Sequence, residues 1–69
     1  MKEYYRVSWY VKDRIPKQIN SGKFTEDKAN IDAWVKAMNK EYPYLYHWTE
    51  MRYLTEKEFE NGEEGRVYN

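Results

Sequence analysis

Residues 25–43, TEDKANIDAWVKAMNKEYP, decide how the chain folds. Ile31, Trp34, Val35, Met38 and Tyr42 recur at the i, i+3, i+4, i+7, i+11 spacing of one helical stripe, and Ala33 and Ala37 beside them allow close approach to a neighbouring layer. Thr25 or Asp27 can cap the start. Glu26 and Asp27 suit the positive end of the helix dipole, and Lys36 and Lys40 lie near its negative end. Pro43 disfavours helical geometry at Tyr42, so the helix stops there. One helix with one apolar stripe needs a sheet to bury it.

The flanking sequence supplies that sheet. On the N-terminal side, Tyr5, Val7, Trp9 and Val11 alternate with Tyr4, Arg6, Ser8, Tyr10 and Lys12, which is the pattern of a half-buried strand. Asp13-Arg14-Ile15-Pro16 reads as a turn, and residues 17–24 as a return strand. Ser21-Gly22 interrupts it, and an isolated glycine there marks a bulge or a close approach of backbone or ligand. Beyond the helix, residues 44–54 read as a third strand, although Leu45, Tyr46, Trp48, Met51 and Tyr53 do not share one parity. Either a bulge near His47 re-aims the chain or both faces are covered. Thr55-Glu56-Lys57-Glu58 has the capping-box spacing, which predicts a short helical turn around Phe59. The expected fold is α+β of order ββαβ over residues 1–54, a small antiparallel three-stranded sheet with one amphipathic helix, followed by an acidic tail over residues 55–69. Trp9 and Trp34 are expected in the core.

A chain of 69 residues buries only about 60% of the surface its unfolded form exposes. With no cysteine and no metal-ligand cluster, the remaining supplement is efficient packing or assembly. Eight Tyr, three Trp and two Phe exceed what one helix on one small sheet can hide, so a homo-oligomer is expected. The lack of cysteine fits a reducing, cytosolic setting, and no apolar run reaches membrane-spanning length. A formal net charge of zero argues against a nucleic-acid polymer as partner. The charge is nevertheless uneven. Glu56, Glu58, Glu60, Glu63 and Glu64 face only Lys57 and Arg66, whereas Lys12, Arg14, Lys17 and Lys23 face only Asp13.

No residue set suits familiar enzyme chemistry. The only imidazole is His47, neither Ser8 nor Ser21 sits in a nucleophile elbow, and a lone strand histidine ordinarily satisfies a local hydrogen bond. One His without Cys or paired acids makes no metal site, and no cofactor is implied. The glutamates of the tail read as a solvated charge run. What stands out is one strand face carrying Arg6, Ser8, Tyr10 and Lys12, since guanidinium, hydroxyl, ring and ammonium on one plane can stack a base and hold a phosphate. The bland reading of that face is an ordinary wet sheet surface or a subunit contact. Gly22 and Lys23 lie at the hairpin end, where backbone N–H groups can approach an anion.

A YRVxW strand at residues 5–9, an AWVxxxNKxYP helix at residues 33–43 and an HWxE strand at residues 47–50 resemble a family of small proteins encoded by phages and giant DNA viruses. Some viral proteins similar in size and build are nucleotide sponges, oligomers that sequester the cyclic nucleotide messengers of bacterial defence systems of the CBASS type. The resemblance implies a non-catalytic protein of the infected cell's cytoplasm that binds a cyclic di- or oligonucleotide and blocks antiviral signalling. In that reading Tyr10 and Trp48 stack on bases, Arg6, Lys12, Lys23 and Arg52 meet phosphates, and Ser8 and Gly22 supply hydrogen bonds or close approach. The alternatives are a viral module that inhibits a host protein directly through its aromatic face, and a single-stranded nucleic-acid binder.

Overall fold

Ten residues of strand on each side of one helix set the frame. In a computed structural model that describes residues 1–62, β1 (Lys2–Val11) lies at the centre of a three-stranded antiparallel sheet, between β2 (Asn20–Ser21) and β3 (Leu45–Leu54). Helix α1 (Lys28–Glu41) covers one face, and a five-residue helix α2 (Glu56–Glu60) follows β3. The fold is α+β with a single long helix, in the order expected. Glu63, Glu64, Gly65 and Arg66 of the acidic tail lie outside the described residues.

Helix α1 starts and stops where the sequence places its signals. The Asp27 carboxylate accepts from the Asn30 N–H at 3.0 Å, and Tyr42, just before Pro43, caps the end through its N–H to the Met38 carbonyl. Its stripe is less deeply buried than expected. Ile31 is buried, but Trp34 is 52% exposed and Trp9 half-buried, so Trp34 is not a core residue. The sheet is too small to reach under the whole stripe.

Strands β1 and β3 pair without interruption from Lys2 opposite Leu54 to Val11 opposite Leu45, so no bulge occurs at His47. The broken parity of β3 has the other cause: both faces are covered. Trp9, Val7, His47 and Thr49 face α1, whereas Tyr4, Arg6, Ser8, Glu50, Arg52 and Leu54 face away from it. The deepest burial lies on that second face, at Tyr4, Ser8 and Leu54. α2 helps to cover it, its Phe59 ring stacked on Tyr4 with centroids 4.2 Å apart.

The return strand is far shorter than residues 17–24. Ser8 and Trp9 pair with Ser21 and Asn20, but Tyr5 then bridges Thr25, one position later than that register demands. The extra residue falls within 22–24, so the glycine does mark a bulge. A Cβ on Gly22 would sit 3.2 Å from Val7 Cγ1, a close approach that glycine permits. Residues 12–20 are exposed, so nothing holds the earlier part of the segment in the ladder.

Candidate functional site

The extra residue at the bulge has a consequence for the face away from α1. Residues 21 and 24 have opposite parity and would point to opposite faces of a regular strand, yet the bulge turns both toward this face. Ser21 Oγ lies 2.9 Å from Ser8 Oγ, and the Phe24 ring lies over the Arg6 guanidinium at 4.4 Å. Arg6 is itself buried and donates through Nε to Glu50, its cross-strand partner on β3. Glu50 also accepts from Ser8 Oγ at 2.9 Å and from Arg52 Nη2 at 2.9 Å. Burial by itself would raise the Glu50 pKa, but hydrogen bonds from Arg6, then Arg52 and Ser8, overcome it and hold the group at about 2.

In front of this network opens a cavity of about 420 Å³, lined by Arg6, Gly22, Lys23, Phe24, Phe59, Glu60 and Gly62. β1 contributes the guanidinium, the bulge contributes Lys23 and Phe24, and α2 contributes the second ring. Two cations and two aromatic rings against one carboxylate make a pocket suited to a flat group bearing negative charge. α2 reaches this position because its start is fixed by a full capping box. Thr55 Oγ accepts from the Glu58 N–H at 3.1 Å, and the Glu58 carboxylate accepts from the Thr55 N–H at 2.9 Å.

The expected ligand set divides. Arg6, Gly22 and Lys23 line the cavity. Ser8 is fully buried with its hydroxyl engaged by Ser21 and Glu50, and Arg52 is bound to Glu50, so these two support the wall from behind. Arg6 and Ser8 therefore do not form an open wet face. The Gly22 N–H donates to the Val7 carbonyl at 2.8 Å, so it serves the ladder rather than an anion. Tyr10 and Trp48 lie further along the same face in a three-ring cluster with Tyr46, at centroid distances of 5.4 to 5.8 Å, with Lys17 Nζ 4.3 Å from the Tyr10 ring centre. Lys12 is exposed at the end of β1.

No family model, curated protein or solved structure matches this chain. Its chemistry is therefore read from its own residues. Phe24, Phe59 and Glu50 were not among the expected site residues. The signal for Phe59 was the capping box, which sets the only aromatic residue of that turn one residue past Glu58, and the signal for Phe24 was the glycine two residues before it.

On the opposite face, His47 is buried and behaves as a structural residue. The Asn39 side chain accepts from the His47 N–H at 2.7 Å and donates to the His47 carbonyl at 2.9 Å, standing in for a neighbouring strand. Asn39 Oδ1 also lies 3.0 Å from the ring Nδ1, which must then carry the proton. Burial lowers the His47 pKa below its ordinary value, which keeps the ring neutral at pH 7. Beside it, Trp9, Trp34, Met38, Tyr42, Tyr44 and Leu45 line an open apolar groove. No described helix is long and apolar enough to cross a membrane.

Proposed function

We propose that this protein captures a small anionic nucleotide without turning it over, in the cavity between the β2 bulge and α2. The observation that carries the proposal is the lining: Lys23 and Arg6 bring positive charge to a phosphate, and Phe24 and Phe59 bring aromatic surface to a base. Its volume falls within the range of about 300–1,000 Å³ usual for small-ligand sites. Binding rather than turnover is supported by the state of the polar groups behind it. Ser8 is inaccessible, and a carboxylate with a pKa of about 2 is a poor general base. The viral resemblance of residues 4–50 supplies the ligand class, a cyclic di- or oligonucleotide messenger whose sequestration in the infected cell silences antiviral signalling.

Calorimetric titration with a panel of cyclic and linear nucleotides tests this. A cyclic nucleotide binds, is recovered chemically unaltered after heat denaturation, and binds Lys23→Glu at least about tenfold more weakly, because an exposed attractive charge becomes a repulsive one. No binding across the panel, or a ligand returned in altered form, rejects the proposal. A second reading, direct docking on a host protein, has its support in the groove around Trp34. Stoichiometric capture of a host protein that Trp34→Ala abolishes and Lys23→Glu does not would favour it.

A further inference from the structure

We propose that two copies of this chain pair edge to edge through β3, antiparallel and centred on Met51, to form one six-stranded sheet. The backbone hydrogen-bond phase defines the edge. Tyr5 exchanges both its backbone bonds with Thr25 on the β2 side, so its cross-strand partner Met51 has none with β1, and the same parity turns Leu45, His47, Thr49 and Tyr53 outward. Two of these are closed within the chain. The Leu45 N–H reaches the Tyr42 carbonyl at 3.0 Å, and the Asn39 amide takes both backbone groups of His47. Thr49, Met51 and Tyr53 keep outward N–H and C=O groups that no described residue meets. Edges that must stay unpaired are usually guarded by Lys, Pro or a bulge. Here none occurs, and the segment presents Met51 at 40% and Tyr53 at 56% exposure.

Charge selects the occupant and the register. With Met51 opposite the second copy's Met51, Thr49 lies opposite Tyr53, and Glu50 opposite the second copy's Arg52 on both sides of the two-fold axis. Those two pairs occupy non-hydrogen-bonded positions, where facing side chains come closest. The neighbouring allowed registers oppose Glu50 to Glu50 or Arg52 to Arg52, and like charges directly opposite are destabilising. Within one copy Arg52 already meets Glu50 at 2.9 Å, with both side chains about three-quarters buried. Pairing extends that contact into a closed ring of two carboxylates and two guanidiniums. Asn39 limits the paired stretch at its His47 end, and the two-fold axis places the two Asn39 side chains at opposite ends of it.

The chain has no cysteine, so cysteine placement reads the register directly. In a hydrogen-bonded pair the Cα atoms are about 5.5 Å apart, within the span of about 4.4–6.8 Å that a disulfide bridges. Under mild oxidation Met51→Cys forms a covalent dimer. Thr49→Cys and Tyr53→Cys each remain uncrosslinked alone and crosslink when mixed. Sedimentation of the unmodified protein shows a concentration-dependent dimer, and Met51→Lys, which sets two ammonium groups face to face at an exposed position, weakens it roughly fivefold or more. A wild-type monomer at high concentration, equal crosslinking of Thr49→Cys and Met51→Cys, or a dimer untouched by Met51→Lys overturns the proposal. None of these readouts involves the ligand cavity.

Discussion

Glu50 shows how much one residue settles in a small protein. It accepts from Arg6, Arg52 and Ser8, so neutralising it as glutamine removes the counter-charge of two guanidiniums and sets an amide NH2 where one of the two accepting oxygens was. Glu50→Gln is expected to cost about 2 kcal/mol at pH 7, less than a fully buried pair because the site keeps some contact with water; a chemical-denaturation midpoint unchanged from wild type would contradict it. The pH dependence follows from the same group. Its folded pKa of about 2 lies below the ordinary 4.5, so the stabilisation is complete above 4.5 and is lost as pH falls toward 2. His47, whose pKa burial lowers from 6.5, has the same sign at higher pH: the unfolded chain binds the extra proton, and stability begins to decline below 6.5. Glu50→Gln should shrink the lower decline to what remains from Asp32, whose pKa is also lowered by hydrogen bonds from Lys28 and Thr49, and keep the upper one, as read from denaturation midpoints between pH 7 and 2.5. From sequence, parity placed Arg6 and Ser8 on one face correctly and suggested that they meet a ligand. The partner that engages both lies 44 residues from Arg6 and 42 from Ser8 along the chain, and only the β1–β3 register reveals it. Arg6 and Glu50 pair with one another, as do Asn39 and His47, so those positions hold the fold.

At the scale of elements, α2 is the piece that cannot stand alone. A five-residue helix lies far below the length at which helices persist in water, so its capping box and its packing must fix it together. Phe59→Ala removes the ring stacked on the fully buried Tyr4; a loss of about 2–3 kcal/mol is expected. Thr55→Ala, which deletes the cap alone, is expected to cost about 1 kcal/mol. Thermal melts of both variants check the order, and a Phe59→Ala protein as stable as Thr55→Ala would mean that α2 contributes no cover. α1 was legible almost to the residue because cap, stripe and stop all agree on it. β2 was not, since the turn at residues 13–16 announces a return strand without saying where it pairs, and the glycine bulge leaves the regular ladder only Asn20–Ser21. The candidate cavity was legible only on its charged side. Its rings come from the bulge and from α2, elements whose placement no periodicity announces.

Across the whole molecule, the surplus of rings predicted from composition remains on the surface. Trp34, Tyr42, Tyr44, Tyr46 and Tyr53 are all exposed, and only Tyr53 belongs to the edge that pairing through β3 would cover. The proposed cavity and the proposed dimer edge are not independent, because Glu50 touches both. One of its oxygens holds Arg6 in the cavity wall, and the other holds Arg52 at the edge. If pairing shifts Glu50 toward the second copy's Arg52, Arg6 loses part of its acceptor and its charge becomes more available to an anion. Dimerisation then strengthens ligand binding, and by linkage the ligand strengthens dimerisation by the same factor. The expected factor is modest, about threefold to tenfold, since a partly exposed ion pair is only redistributed rather than broken. Titrating ligand into wild type above its dimer constant and into Met51→Lys held well below its own measures it, because Met51 lies on the α1 face, away from the cavity. Equal affinities in the two samples would show that Glu50 holds both arginines unchanged when the edges meet, and that the cavity works identically in one copy or two.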